Sequence, residues 1–259
     1  MEEIESYSIL GTKVCAFTNE SLTGILENLI DKNEKHIIAN HNLHSLYLFN
    51  KNDTFRDFFS QINYVHIDGM AIVYLGRLLG YPLVRGNRIT YLDWCDKIFK
   101  LAVKKNFRIF YLGSTPESGK TGVDVLKRNY PSLKLFWHHG YFDANKNSGE
   151  NREIINLINS SKASILMVGM GMPRQEYWIR ENFKNLNVNI CLPCGACLDY
   201  LAGTIQTPPR WMGRIGLEWF YRLITEPQRL WKRYLIEPLF LCKPFLVQFL
   251  KQKKKIFRT

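Results

Sequence analysis

Four short polar segments each follow an apolar run: Asn40-His41-Asn42, His66-Ile67-Asp68-Gly69, Gly113-Ser114-Thr115-Pro116 and Gly171-Met172-Pro173-Arg174-Gln175-Glu176. Asp68 is a loop carboxylate able to take the proton of a hydroxyl as that hydroxyl attacks. Asn40, Asn42 and Gln175 carry amides that can read neutral hydroxyls and carbonyls. Gly113 and Ser114 precede a capped helix start suited to an anionic or ribose group. Gly171 lets a ligand come close to the main chain, and Glu176 adds a second acid beside Gln175. Each also has a plainer reading. Asp68 before glycine is a common turn residue or helix cap. The asparagines can satisfy backbone groups at a strand end, and Arg174 to Glu176 can be a solvated first helical turn. His41, His44 and His66 lack the i, i+4 helical pairing of a metal site. Gln175 stands near the third position of Gly-x-Gly-x-x-Gly, so the dinucleotide fingerprint is absent.

For these groups to meet, the segments before them must lie side by side. Short apolar runs predict strands at 35–39, 64–67, 107–112, 133–136, 164–168 and 187–192. Helical patterns at 22–32, 71–79, 91–104, 118–130, 150–160 and 175–186 alternate with them. Such alternation predicts an α/β fold, a mainly parallel sheet covered by helices. Ligands of open α/β sheets sit outside the carboxyl ends of the strands, which puts Asn42, Asp68, Ser114 and Gln175 on one rim. The pattern changes near Ala202. A Gly/Pro linker, Gly203 to Arg210, leads into helices rich in Trp, Tyr and Arg, dividing the chain into residues 1–202 and 203–259.

Charge follows the same division. Of a formal +12, the last fifty residues hold +9, from twelve Lys/Arg against three acids. Arg222, Arg229, Lys232 and Arg233 alternate there with Trp219, Tyr221, Trp231 and Tyr234. Guanidiniums grip a diphosphate bidentately, and basic-aromatic surfaces equally suit anionic lipid head groups. Spacings of seven and eleven place Arg229 and Arg233 on the helix face of Arg222, unless Pro227 starts a new helix. The acidic N-terminus lacks the basic region of a signal peptide. The most apolar tract, 235–250, is cut by Glu237, Pro238, Lys243 and Pro244. The expectation is therefore a cytoplasmic chain that does not span a membrane. Cys191, Cys194 and Cys197 are spaced as in some metal sites, yet no fourth ligand lies nearby and the run reads as a buried strand entering a turn. No metal site is expected, and Asp-x-Asp, the usual carboxylate pair for a diphosphate-bound metal, occurs nowhere.

Taken in order, these segments resemble the WecG/TagA/CpsF family of bacterial glycosyltransferases over nearly the whole length. The marks are Asn40-His-Asn42, Asp68-Gly69, Arg88-Ile-Thr-Tyr-Leu-Asp93, Phe110-Tyr-Leu-Gly113, Gly140-Tyr-Phe142, Val168 to Glu176, Gly195-Ala-Cys-Leu-Asp199 with Gly203, Gly216 to Arg222, and Glu226-Pro-Gln-Arg229. The resemblance implies a Rossmann-like sheet with a basic, helical, membrane-docking C-terminal appendage. It implies an inverting, metal-independent transfer, without cofactor, from a UDP-sugar to a polyprenyl-diphosphate-linked sugar on the inner face of the cell membrane. It carries the general base to Asp68 and active-site roles to Asn42, Arg88 and Gln175. Substrate contacts fall on Asn40, Gly113, Ser114, Gly171, Glu176 and Asp199, and diphosphate or lipid contacts on Arg222, Arg229, Lys232 and Arg233.

The motifs are most similar to the branch containing the GumM glucosyltransferase of xanthan assembly, which favours a glucose donor. UDP-N-acetylmannosamine or its uronic acid is the alternative, with Arg174 or Lys120 as the extra contact for a uronate. Two departures stand out: Asn40-His41 where the teichoic-acid branch has threonine, and Thr207-Pro208-Pro209 in place of the family's Arg-Ala-Pro linker, with Arg210 close by. Nucleic-acid binding would also fit the basic aromatic tail, but it leaves Asp68 and Gln175 without a task.

Overall fold

The computed structural model describes residues 4–256, without the side chains of Arg210, Arg214, Ile215, Lys255 and Ile256. Those parts of the basic tail, Arg258 and the acidic Met1-Glu2-Glu3 therefore lie outside the described residues. In chain order the elements begin with β1 (Ser6–Ile9), β2 (Thr12–Cys15), α1 (Asn19–Asp31), β3 (His36–His41), α2 (Leu43–Lys51), α3 (Asp53–Ser60), β4 (Tyr64–Ile67) and α4 (Met70–Leu78). They continue with α5 (Tyr91–Lys105), β5 (Arg108–Gly113), α6 (Pro116–Asn129), β6 (Lys134–His138), α7 (Gly149–Ser161), β7 (Ile165–Gly169), α8 (Arg174–Asn182), β8 (Ile190–Pro193) and α9 (Cys197–Leu201). The C-terminal helices are α10 (Arg210–Ile215), α11 (Glu218–Thr225), α12 (Pro227–Trp231), a π-helical turn Lys232–Ile236 and α13 (Glu237–Ile256).

Six strands form one parallel sheet in the order β4-β3-β8-β7-β5-β6. This is the parallel α/β sheet with flanking helices that the alternation predicts, and the Rossmann-like sheet that the resemblance implies. β7 and β8 are apolar along their length because helices cover both faces and bury every residue. One face packs Leu22 and Leu26 of α1, Trp94 and Ile98 of α5 and Leu126 of α6. The other packs Phe55 and Phe58 of α3, Ile158 of α7 and Trp178 and Ile179 of α8. Fixed caps set where the helices start. Thr18 and Asn42 form capping boxes with Ser21 and Ser45, and Thr90, Thr115 and Ser148 each accept a main-chain N–H.

A third apolar cluster joins the two ends of the chain. Ile9, Leu10 and Val14 of the β1–β2 hairpin meet Ile72 and Val73 of α4 and Leu241 of α13, with Phe245 and Phe249 alongside. Gln248 reinforces the contact: its Oε1 accepts from Leu10 N at 2.7 Å, and its Nε2 donates to Ser8 O at 2.7 Å.

Several expectations need correction. The hairpin, α2 and α3 are absent from the predicted element set, and Asn40 and His41 belong to β3 rather than to a loop. The capping box at Asn42 and buried Leu46, Phe49, Phe55 and Phe58 are what make 43–60 helical. The tract cut by Pro238, Lys243 and Pro244 is nonetheless helical, and α13 carries Pro244 in its interior. A helix-interior proline costs about 3 kcal/mol, which burial of Leu241 and its neighbours against the hairpin offsets.

Candidate active site

Over the carboxyl edge of the sheet lies a cavity of about 280 Å³, lined by Asn40, Asn42, Asp68, Gly171 and Gln175 from the strand ends. Tyr91 and Tyr200 form part of its wall, and Glu218, Arg222, Arg229 and Arg233 close it from the C-terminal helices. Main-chain partners hold the strand-end groups. Asp68 N donates to His41 O at 2.7 Å, and Gly69 follows with φ +137°, a conformation that glycine adopts readily. Asn40 Nδ2 donates to Pro193 O at 3.0 Å. Gln175 Oε1 accepts from Gly195 N at 3.1 Å, which fixes its amide so that Nε2 faces Glu176 Oε1 at 2.8 Å.

Asp68 is partly buried and lines the cavity. Burial raises its pKa and the Glu218 carboxylate adds to the rise, while Arg88, the Asn42 amide and Arg222 oppose it. Asn42 Nδ2 lies 3.5 Å from Asp68 Oδ2, and Arg233 Nη2 lies 3.4 Å from Asn42 Oδ1. Arg88 stands beside this group with both Glu218 oxygens 2.6 Å from its Nη2.

Two further cavities adjoin. One of about 490 Å³ shares Gly171, Ala196 and Arg229 with the first and is lined by Ser114, Thr115, Gly140, Tyr141, Asp199 and Thr204. Ser114 sits there at φ +66° with its Oγ buried and unpartnered. Asp199 Oδ1 accepts from Ser118 Oγ at 2.6 Å. The other, about 270 Å³, shares Asn42, Asp68, Glu218, Arg222 and Arg233 with the first, and Leu43, Met70, Ala71, Trp219 and Tyr234 give it an apolar wall.

The structure thus gathers Asn40, Asn42, Asp68, Gly171, Gln175, Arg222, Arg229 and Arg233 around one cavity, with Ser114 and Asp199 in the next. Four expected site residues line none of the three cavities: Arg88, held by Glu218, and Glu176, Gly113 and Lys232. Glu176 is 1% exposed and lines none of the three cavities; burial lifts its pKa to about 7, partly offset by Gln175 and its own main chain. Gly113 ends β5 with φ +158°, where any side chain would collide with the Gly169 carbonyl, so it serves close strand packing. Lys232 is exposed, its ammonium over the Trp231 ring at 5.4 Å, because successive helical residues point to different sides. Pro227 does begin a new helix, and the three arginines converge from α11, α12 and the π turn rather than along one face.

Tyr91, Glu218, Trp219 and Tyr234 line the site without having been singled out as site residues. The first three lie in segments quoted above, Arg88 to Asp93 and Gly216 to Arg222. Among the described residues no three His, Cys, Asp or Glu side chains are grouped to hold a metal ion. His41 and His66 are core residues whose pKa burial depresses to about 3, and His41 bonds Thr12 and Ser45 at 2.9 and 2.8 Å. Cys95 and Cys197 face each other as buried thiols, 2.9 Å between sulfurs.

A parallel sheet carrying amides, carboxylates and guanidiniums over its carboxyl edge is the architecture of an α/β enzyme with its site at the strand ends. The model of the glycosyl transferase WecG/TagA/CpsF family matches residues 7–255, and the chain belongs to that family. It is 27% identical over 250 residues to the N-acetylglucosaminyldiphosphoundecaprenol N-acetyl-β-D-mannosaminyltransferase of Staphylococcus aureus strain MRSA252, covering 93% of this chain and 91% of that protein. Identity to the protein of the same description from strain NCTC 8325 is 26%, with the same coverage.

Proposed function

We propose that this glycosyltransferase moves a sugar from a UDP donor to a polyprenyl-diphosphate-linked sugar, with inversion at the anomeric carbon and Asp68 as general base. The observation that carries the reading is that Asp68 stands where two cavities meet. Inversion needs the acceptor hydroxyl and the leaving diphosphate on opposite sides of the anomeric carbon. In this reading the uridine occupies the cavity of Ser114 and Asp199, and the donor sugar lies against Asn40, Asn42 and Gln175. The acceptor enters past Trp219 and Tyr234. As the acceptor oxygen bonds to the anomeric carbon, its proton passes to Asp68 and the bond to UDP breaks. Arg229, Arg222 and Arg233 offset the charge that develops on the departing diphosphate.

The C-terminal helices also supply the membrane-facing surface. Phe220, Trp231, Leu235, Leu239, Phe240 and Leu246 are exposed there, beside Lys232, Lys243, Lys251 and Lys253. Among the described residues no helix is long and apolar enough to cross a membrane. A peripheral position on the inner face of the cell membrane brings the lipid-linked acceptor to the site.

The motif likeness favours glucose as the donor sugar, within exopolysaccharide assembly. The Staphylococcus aureus relatives, described as mannosaminyltransferases, favour N-acetylmannosamine as the second reading. The test is a panel of UDP-sugars with glucosyl- and N-acetylglucosaminyl-diphosphate lipids, read by mass spectrometry. A mass gain of one hexose or one N-acetylhexosamine decides the donor, and failure to bind UDP overturns the reading. EDTA should leave turnover intact; an absolute requirement for Mg²⁺ or Mn²⁺ would refute the metal-independent part.

A further inference from the structure

Resting on the proposed role of Asp68, we infer that Glu218 is a positioning residue: it holds the Arg88 guanidinium off Asp68 and so preserves the basicity of that carboxylate. Arg88 is 8% exposed at its side chain and is bound to the strand of the base, since Ile89 N donates to Ile67 O at 2.7 Å, one residue before Asp68. A buried guanidinium anchored there must be neutralised by a nearby carboxylate. Glu218, 130 residues away on α11, takes that part with both oxygens at 2.6 Å, and Asp93 Oδ2 adds a contact at 3.3 Å. The helix ahead is shaped for the pair: a side chain on Gly213 of α10 would overlap the Glu218 carboxylate.

Without Glu218, Arg88 keeps Asp93 Oδ2 at 3.3 Å on its Nη1, and the carboxylate left in the cavity for its Nη2 is the base itself. Pairing with Arg88 would favour the ionised form of Asp68 and weaken it as a proton acceptor. The other groups facing Asp68 cannot replace Glu218 in this task. Arg222 of α11 and Arg233 of the π turn are cations, Tyr91 of α5 is a neutral phenol, and Asn42 at the start of α2 is an amide. Arg88 lowers the pKa of Asp68 and Glu218 raises it, as this arrangement requires. The C-terminal helices therefore do more than present arginines: with α11 displaced, Arg88 is released onto the base.

Glu218→Gln and Glu218→Asp test this in the full-length protein with two readouts. The first is the ¹³C carboxyl titration of Asp68, assigned by its loss in Asp68→Asn, and the second is the pH–rate profile. Glu218→Gln should move both midpoints to lower pH and reduce kcat by about tenfold. Glu218→Asp should recover much of both, and adding Arg88→Ala to Glu218→Gln should move the titration midpoint back upward. A fall in kcat with the titration midpoint unmoved would mean that Glu218 only clamps α11, and would overturn the inference. The titration needs no turnover, so it decides the matter even if no sugar is transferred from any UDP donor.

Discussion

The sheet rim and the C-terminal helices meet at Asp68, but they hold their polar groups by opposite means. On the rim, main-chain atoms hold the amides before any ligand arrives: Asn40 Nδ2 donates to Pro193 O and Gln175 Oε1 accepts from Gly195 N, while Ser114 Oγ stays unpartnered. On the helical side the cations are under-neutralised. Arg222 lies over the Tyr200 ring at 5.8 Å with its Nε buried and unpartnered, and among the described residues Arg233 hydrogen-bonds the Asn42 amide and no carboxylate. Arg229 has Glu226 alone. The rim is pre-organised for neutral groups at the expense of adaptability. The helices present guanidiniums that an anionic substrate can pair more fully, which is how binding energy can be directed at a developing diphosphate.

The sharpest way to break this contrast is Asp68→Asn, which should cut turnover by about 10²- to 10⁴-fold while UDP still binds. Isothermal titration with UDP beside the rate assay separates that outcome from loss of folding. Next in size is Glu176→Gln, under the rim. A buried carboxyl whose pKa is raised from 4.5 to about 7 contributes stability that is full below about pH 4.5 and lost as pH rises through about 7. The wild type should therefore weaken between pH 5 and 8 by about 3 kcal/mol more than the variant in urea unfolding, since one unit is about 1.4 kcal/mol. Equal slopes would show that Glu176 is not held protonated. Arg222→Ala should lower kcat/KM by about 10- to 100-fold without lowering Tm, because it removes a charge that lacks a carboxylate partner. A marked loss of Tm would place Arg222 with the hydrogen-bonded rim instead. The smallest effect belongs to Lys232→Ala: turnover on a soluble acceptor unchanged, and affinity for anionic vesicles weaker by about 1 kcal/mol in co-sedimentation.

Much of the rim was legible because it depends on local pattern. Apolar runs ending in Asn, Asp-Gly, Gly-Ser and Gly-x-Gly place their polar residues at strand ends whatever the rest of the chain does. Where legibility failed, neighbours in sequence part company in space. Gln175 and Glu176 are adjacent, yet successive helical residues point about 100° apart. Gln175 lines the cavity while Glu176 turns under it. Arg233 likewise faces Asn42 while Lys232, its neighbour, lies over Trp231. The hairpin strands are four residues each and α2 and α3 are nine and eight, too short for periodicity to stand out until their partners bury them.

By itself, the sequence determined the alternation of strands and helices, the identity of the rim amides and carboxylate, and the concentration of basic charge beyond Ala202. These are properties of composition and short-range spacing, which folding does not rearrange. Only the tertiary structure decided that α13 returns to the first hairpin, that three arginines from three helical segments converge on the rim, and that Glu218 holds Arg88 beside Asp68. Such pairings depend on which apolar faces bury one another across more than a hundred residues, and no local spacing encodes that.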